Sequence, residues 1–428
     1  MIAFLIISFF VLMFLGVPIA MALGLASIGG IVFISNANLL TVCQRMFEGM
    51  NSFALLAIPL YTFSGFTMSK GGISDRLMDF CYSIVGRISG GLGHVNILSS
   101  MVFAGISGSA VADTAGVSGM MMPNMVKNGF SKEETTAITA ISSTIGIIIP
   151  PSIPMVVIAG IVGISTGKLF LGGIIPGILL GLGQMVVCYF NAKRNGVPVD
   201  KSKFNIREFL VNTWRSLPAL LMPLVIVGSI SAGLVSPTEA GAIAAAYGLF
   251  AGGIIYRELK WEDIKFALKE TVKTSGRIFV VIGAAKLFTV MLTTAGFDKW
   301  VANTLLGIST NPTVILIIIL LIFFVVTMFM ESIATLTLFM PIIYPIAIQV
   351  GIDPIVLGVL ITVVIGVGLV TPPVGMCIYV ACDLMNIRVG KVMPYLVPYL
   401  LMTFVVIALL IAVPQLITVP GSFIGAGA

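Results

Sequence analysis

Two adjacent prolines, Pro150-Pro151, lie inside a stretch that carries no charge from Thr135 to Gly167, and a second pair, Pro372-Pro373, lies inside another from Pro354 to Cys382. Proline cannot donate to a helix ladder and leaves carbonyls unpaired, which at membrane depth is tolerable only where protein or a water-filled cavity takes them up. The pairs are 222 residues apart (372 − 150), and the same interval carries Pro176 onto Pro398 and Gly129 onto Gly351. We read this as an internal duplication. Matching interruptions in the two halves of an apolar chain point to the binding site of a secondary transporter. A second interval, 218 residues (331 − 113), relates Asp113 and Pro123 to Glu331 and Pro341 and is read as a four-residue insertion between the copies. Asp113 is the only charge from Val95 to Val126, and Glu331 the only one from Trp300 to Ile352.

Composition agrees with membrane placement. Hydrophobic residues make up 58% of the chain and charged residues 9%, against roughly 25% charged in soluble domains. The apolar runs are continuous rather than alternating, which argues for helices and against a β-barrel. The fold class expected is therefore an all-α polytopic membrane protein. The start, Met1 to Ile34, has no preceding basic region and no Ala-x-Ala cleavage pattern, so it is read as retained; Pro18 leaves open one tilted span or two short ones. The net charge of +6 reflects basic loops more than a nucleic-acid surface. Lys193, Arg194, Lys201, Lys203, Arg207 and Arg215 outweigh Asp200 and Glu208, which places this segment in the cytoplasm. The five cysteines are scattered in mostly apolar runs and read as packed thiols.

The first repeat is expected over 1–195, a cytoplasmic linker over 196–216 and the second repeat over 217–428. The first contains an amphipathic interfacial segment at Ile73 to Ile88, a hairpin at about 95–126 and a broken helix at about 131–166. In the second, two spans run from Leu217 to Tyr256, then a charged amphipathic connector from Arg257 to Arg277 and a span from Ile278 to Ala295. A hairpin at about 312–350 and a broken helix at about 352–387 follow. Counting crossings from the linker puts the two hairpins on opposite faces, so the repeats are inverted.

The stretch Ser99 to Gly119 is rich in Ser, Thr and Gly around the single Asp113. Folded as a hairpin with an unwound tip at Ser107, Gly108 and Ser109, it would present free carbonyls to a cation and a helix N-terminus to an anion. Small-residue packing between helices is the competing explanation. Asp113 and Glu331 are read either as ligands or proton carriers, or as caps of the helices that follow them. Lys286 either holds a substrate carboxylate, or snorkels or pairs with a scaffold partner. Asp383 either contacts substrate or faces water.

The segments Ser107-Gly108-Ser109-Ala110-Val111-Ala112-Asp113, Ile149-Pro150-Pro151-Ser152 and Thr371-Pro372-Pro373-Val374-Gly375 resemble the large membrane subunit of tripartite ATP-independent periplasmic transporters, as does Ala57-Ile58-Pro59-Leu60 followed by Gly71-Gly72-Ile73. The resemblance runs over essentially the whole chain. It implies an elevator-type, sodium-driven importer of organic anions that works with a small four-helix membrane subunit and a soluble periplasmic binding protein. It also implies at least two sodium ions. The first would lie between Ser107, Gly108, Ser109 and the turn Gly146, Ile149, Pro151. The second would lie between Glu331, Ser332 and the stretch Gly366, Gly368, Thr371, Val374. Substrate contacts are expected from Ser109, Asp113, Ser152, Thr335, Pro373 and Asp383.

Other classes fit less well. Gly163-Ile164-Ser165-Thr166-Gly167-Lys168 is one residue short of a phosphate-binding loop and is followed by Leu169, so ATP is not expected. His94 is the only histidine, which leaves a metal site or histidine-based hydrolysis without partners. The alternatives are an ion or solute channel, or an uncoupled membrane scaffold subunit. Sialic acid or a C4-dicarboxylate is the substrate expected, with a lean to the sugar acid.

Overall fold

The structure, a computed structural model, describes residues 1–422 apart from 36, 37, 201 and 203. Lys201 and Lys203 of the basic segment thus lie outside the described residues. Every regular element among those described is helical. Six helices are long and apolar enough to cross a membrane, and the pair Leu40–Met50 and Ala54–Lys70, bent by 66°, makes a seventh if it is counted as one span.

The apolar start is two helices, Ile2–Phe14 and Ile19–Gly30. They are separated at Gly16, whose φ of 82° suits a residue without a Cβ, and at Pro18, which precedes the second helix. Leu5, Phe9, Leu23 and Ala26 bury against Ala284, Phe288 and Met291 of a later span, together with Met330, Ala334 and Leu338. This small core is distinct from the main one.

Element order recurs along the chain. A helix pair is followed by a long span, then by a short helix entered through a left-handed glycine: Gly72 (φ 73°) before Ile73–Val85, and Gly296 (φ 80°) before Phe297–Ile308. Next come two helices joined by a tight turn, Gly91–Ser107 with Ala110–Lys127 in one case and Pro312–Thr327 with Ser332–Gln349 in the other. Then a helix stops short of each proline pair and another begins beyond it. Lys132–Ser143 runs on as a 3-10 turn to Ile147 before Ile153–Val162, and Pro354–Gly368 precedes Met376–Met385. Both Pro-Pro peptide bonds are cis.

The helix ends correct the sequence register. Ser109 and Glu331 are the N-caps of the second hairpin helices, Lys127 and Gln349 their last residues, and Ser131 and Asp353 the next N-caps. Each pair is 222 residues apart (for example 331 − 109), the interval of the proline pairs. The expected four-residue insertion is therefore absent. Asp113 sits one turn inside its helix, so its counterpart is Thr335, and Pro123 answers to Pro345.

Two expected boundaries also move. Helix Ile206–Ser231 begins within the expected linker, because the Asn205 side chain accepts from the backbone N–H groups of Arg207 and Glu208 at 3.1 and 3.4 Å. Arg207 and Arg215 are therefore helical. The charged connector and the span after it form one helix, Trp261–Thr294, of 34 residues, or about 50 Å. Helix-favouring Glu, Lys, Ala and Leu continue up to Gly276, and Gly276 and Gly283 each cost only ~1 kcal/mol against alanine.

Side-chain hydrogen bonds bind the first hairpin to the helix after it. Asn96 Nδ2 donates to Thr139 Oγ1 at 2.7 Å, Ser142 Oγ to Asn96 Oδ1 at 3.2 Å, and Ser100 Oγ to Ser142 Oγ at 3.0 Å. Thr114 Oγ1 and Ser143 Oγ lie 2.6 Å apart. All these residues are buried. In a low-dielectric interior a satisfied network of this kind holds its elements together.

Candidate substrate and ion site

A cavity of about 600 Å³ opens where both hairpin turns meet two long spans. The first hairpin contributes Ser107, Gly108 and Ser109, and the second contributes Glu331, Ser332 and Ile333. Opposite them stand Thr62, Ser69 and Lys70 at the end of helix Ala57–Lys70, and Phe266, Thr274 and Arg277 of helix Trp261–Thr294. The Lys70 ammonium lies 4.9 Å from the Phe266 ring centroid, a cation–π contact. Arg277 has no hydrogen-bond or ion-pair partner among the described residues.

The tip of the first hairpin is built for close approach. Gly108 has φ 63°, and a Cβ there would stand 2.8 Å from the Pro151 carbonyl oxygen. Its own carbonyl accepts from Ile153 N–H at 3.2 Å. Ser109 Oγ caps the following helix by accepting from Ala112 N–H at 3.4 Å. Gly105, Ile106 and Ser107 end the preceding helix, and their carbonyls accept no backbone hydrogen bond among the described residues. The expected group Ser107, Gly108, Ser109 and Pro151 is thus brought together, with Gly146 and Ile149 in the same turn. The Asp113 carboxylate closes the far side, since a Cβ on Gly146 would lie 3.0 Å from its Oδ2.

Asp113 is fully buried, and neither of its oxygens has a hydrogen-bond partner. It does not cap its helix, because Ser109 does. Glu331 does act as a cap: its Oε2 accepts from the N–H groups of Ile333 and Ala334 at 3.0 and 3.2 Å. The two carboxylates that look equivalent in the sequence therefore do different work.

The second group is less compact. Val374 N–H donates to Met328 O at 2.9 Å, and a Cβ on Gly368 would fall 2.1 Å from Thr327 Oγ1, so this break packs against the second hairpin. Thr371 Oγ1 is bonded to Val367 O at 2.7 Å. Gly366 instead faces Thr144, where a Cβ would be 3.3 Å from the Thr144 Cβ, so the two interrupted helices touch each other.

Of the expected substrate contacts, Ser109 lines the cavity, while Asp113, Ser152, Thr335, Pro373 and Asp383 do not. Ser152 Oγ donates to Ile147 O at 2.5 Å and caps Ile153–Val162, and Thr335 Oγ1 donates to Glu331 O at 3.1 Å. Pro373 and Asp383 are exposed. Lys286 packs against Gly49, whose added Cβ would lie 2.6 Å from the Lys286 Cβ, and it too is away from the cavity. Sequence reasoning missed Lys70 and Arg277. In the sequence Arg277 only ends the charged connector; the continuous helix Trp261–Thr294 places it opposite the hairpins.

A family model described as "Tripartite ATP-independent periplasmic transporter, DctM component" matches residues 6–416. The chain is 39% identical over 412 residues to the uncharacterized protein YgiK of Salmonella typhimurium, covering 96% of this chain and 94% of that protein. It is 34% identical to the sialic acid TRAP transporter large permease protein SiaM of Vibrio cholerae, covering 97% of each. It is 35% identical to the C4-dicarboxylate TRAP transporter large permease protein DctM of Pseudomonas aeruginosa, covering 92% of each. Among solved structures, the YdaH transporter of Alcanivorax borkumensis superposes with a TM-score of 0.59 at 14% identity, covering 90% of this chain and 89% of that one. That likeness concerns the fold alone.

Proposed function

Because the chain belongs to the DctM-component family of tripartite ATP-independent periplasmic transporters, we propose that it imports an organic anion together with sodium. It is a permease rather than an enzyme, and a multi-pass protein of the bacterial inner membrane. The observation that carries the anion is the cavity itself, which sets the cations Lys70 and Arg277 across from the turns of both hairpins. A guanidinium without a partner is suited to bidentate recognition of a carboxylate. Six hydroxyl residues, Thr62, Ser69, Ser107, Ser109, Thr274 and Ser332, share the cavity. They favour a polyhydroxylated sugar acid such as sialic acid over a C4-dicarboxylate.

Sodium, a cargo ion here, is proposed at the two turns. Hard cations take oxygen ligands, and the unpaired carbonyls of Ile106 and Ser107 beside the Gly146–Pro151 turn supply them, with Asp113 as the nearby counter-charge. The second ion is proposed at Glu331 and Ser332 with carbonyls of Gly368 to Val374. Substrate delivery falls to a periplasmic binding protein, and a small membrane subunit completes the complex.

The way the parts are joined supports an elevator movement. The first hairpin is tied to its interrupted helix by buried hydrogen bonds, whereas its face toward the long spans is made of small residues. A Cβ on Gly65 would lie 3.4 Å from Ser107 Cα, and one on Gly105 would lie 2.5 Å from Pro223 Cγ. Among the described residues, the side-chain hydrogen bond from the long spans to a hairpin is Thr289 Oγ1 to Leu338 O, at 3.4 Å. A face with so few directional bonds suits sliding. Proteoliposomes holding the complex should accumulate substrate under an inward sodium gradient without ATP and show counterflow of labelled substrate. Equal uptake with potassium in place of sodium, or flux without counterflow, would favour a channel.

A further inference from the structure

A second cavity, of about 730 Å³, lies apart from the transport site. Helix Ile73–Val85 lends it Asp75, Arg76 and Asp79, and the first turns of Ile206–Ser231 lend Asn212, Trp214 and Arg215. The turn from Ile255 to Glu258 closes it. Arg76 is already committed: it reaches Glu258 Oε1 at 2.6 Å and Gly72 O at 2.5 Å, and stacks 4.2 Å from the Tyr256 ring centroid. Tyr256 Oη donates to Arg215 O at 2.9 Å, which fixes the wall. The charged side chains left without a hydrogen bond or ion pair among the described residues are the Asp75 and Asp79 carboxylates and the Arg215 guanidinium. Burial first, and then the neighbouring Asp75, hold the Asp79 carboxyl above the ordinary carboxylate range. Arg215 and Arg76 pull the other way without cancelling these causes, and a further cation beside Asp79 would offset them.

The surface next to this cavity is apolar. Leu210, Trp214, Leu221 and Leu224 recur at helical spacing on Ile206–Ser231 and are all exposed. Only 22% of this helix's apolar window is buried, less than in the other candidate spans. We propose that the cavity holds the headgroup of a phospholipid bearing a primary amine, phosphatidylethanolamine, with its acyl chains along this stripe. The ammonium, with three donors, bridges Asp75 and Asp79, and the phosphate meets Arg215. Two free carboxylates against one free guanidinium disfavour a headgroup that brings only negative charge. A choline headgroup has no N–H to give. Trp214 at the polar edge is placed as an interfacial anchor.

The test uses the complex with its small membrane subunit, in nanodiscs of equal phosphatidylethanolamine, phosphatidylglycerol and phosphatidylcholine, followed by mass spectrometry of the lipids it retains. Phosphatidylethanolamine should be enriched about two- to fivefold, the range that exposed ion pairs of this kind supply. The double variant Asp75→Asn/Asp79→Asn should lose this preference while the complex stays intact. Arg215→Gln, an exposed change, should lower retention of all three phospholipids. No enrichment in the parent, or the same enrichment in all variants, overturns the proposal. So does quantitative crosslinking of Trp214→Cys to the small subunit, which would put a protein helix where the lipid is placed.

Discussion

Replacing Gly108 with alanine tests whether the first hairpin turn is the ion site. At φ 63° a non-glycine residue costs roughly 1–2 kcal/mol. The new Cβ would also stand 2.8 Å from the Pro151 carbonyl oxygen, which is backbone and cannot swing aside. Relieving that contact moves the two turns apart and strains the Gly108 O to Ile153 N–H bond of 3.2 Å, worth about 0.5–1.5 kcal/mol. Together these terms come to roughly 1.5–3.5 kcal/mol against the geometry that gathers the carbonyls, or a factor of about 10 to 300. Gly163 is the matched control, with φ 75° and nothing within 4 Å of an added Cβ. Gly163→Ala should carry the backbone cost alone, visible in thermal stability and not in transport. In proteoliposomes, initial uptake measured against sodium concentration should show Gly108→Ala shifted to far higher sodium or silent, and Gly163→Ala close to the parent. Sodium curves that coincide for the two variants would refute the placement.

Arg277→Gln should raise the substrate KM about tenfold or more, the loss of a charge-assisted pair, with Arg277→Lys intermediate and sodium dependence unchanged. An unaltered KM would remove Arg277 from substrate recognition. Asp113→Asn should raise Tm in sodium-free buffer, because a buried carboxylate without a partner is costly, and should abolish any rise in Tm on adding sodium; a lower Tm without sodium would show that the carboxylate is paired. The Arg76 guanidinium holds the Glu258 carboxyl below the ordinary carboxylate range, chiefly through their hydrogen bond. The stabilisation is therefore fully present above the ordinary Glu pKa and lost as pH falls through the lowered folded value. The Tm gap between parent and Glu258→Gln should close on acidification, and a gap that widens would contradict the pairing.

Much of this was legible because membrane helices punctuate themselves chemically. Proline pairs in uncharged runs located both interruptions, and the Ser-Gly-Ser stretch located the first turn. The register failed at one point for a definable reason. Matching Asp113 to Glu331 assumed that a lone carboxylate keeps its place in a repeat, but the N-cap needs only an acceptor, which Ser109 supplies as a hydroxyl and Glu331 as a carboxylate. Asp113 is then an extra charge specific to the first copy. Lys70 and Arg277 were illegible for a different reason. Their role depends on which elements face each other across a cavity, and periodicity within one helix carries no information about that.

The placement of those cations constrains how transport is shared among the parts. Lys70 and Arg277 stand on long spans, while the oxygen-rich turns belong to the hairpins. In an elevator the two sets separate as the hairpins travel, so a substrate riding with the hairpins contacts Arg277 at only one end of the stroke. Carriage must then rest on neutral groups and bound sodium. A cation fixed to the hairpins would stay with the substrate through the whole stroke and slow its release, whereas one fixed to the spans attracts the anion where it enters or leaves and drops away as the hairpins move. The hydroxyls of Ser107, Ser109 and Ser332 lie at the turns where sodium is proposed, so a bound ion would bring positive charge beside them and make substrate affinity on the moving side depend on it. On the proposed reading, that dependence would couple sodium to substrate without a fixed cation at the turns that move.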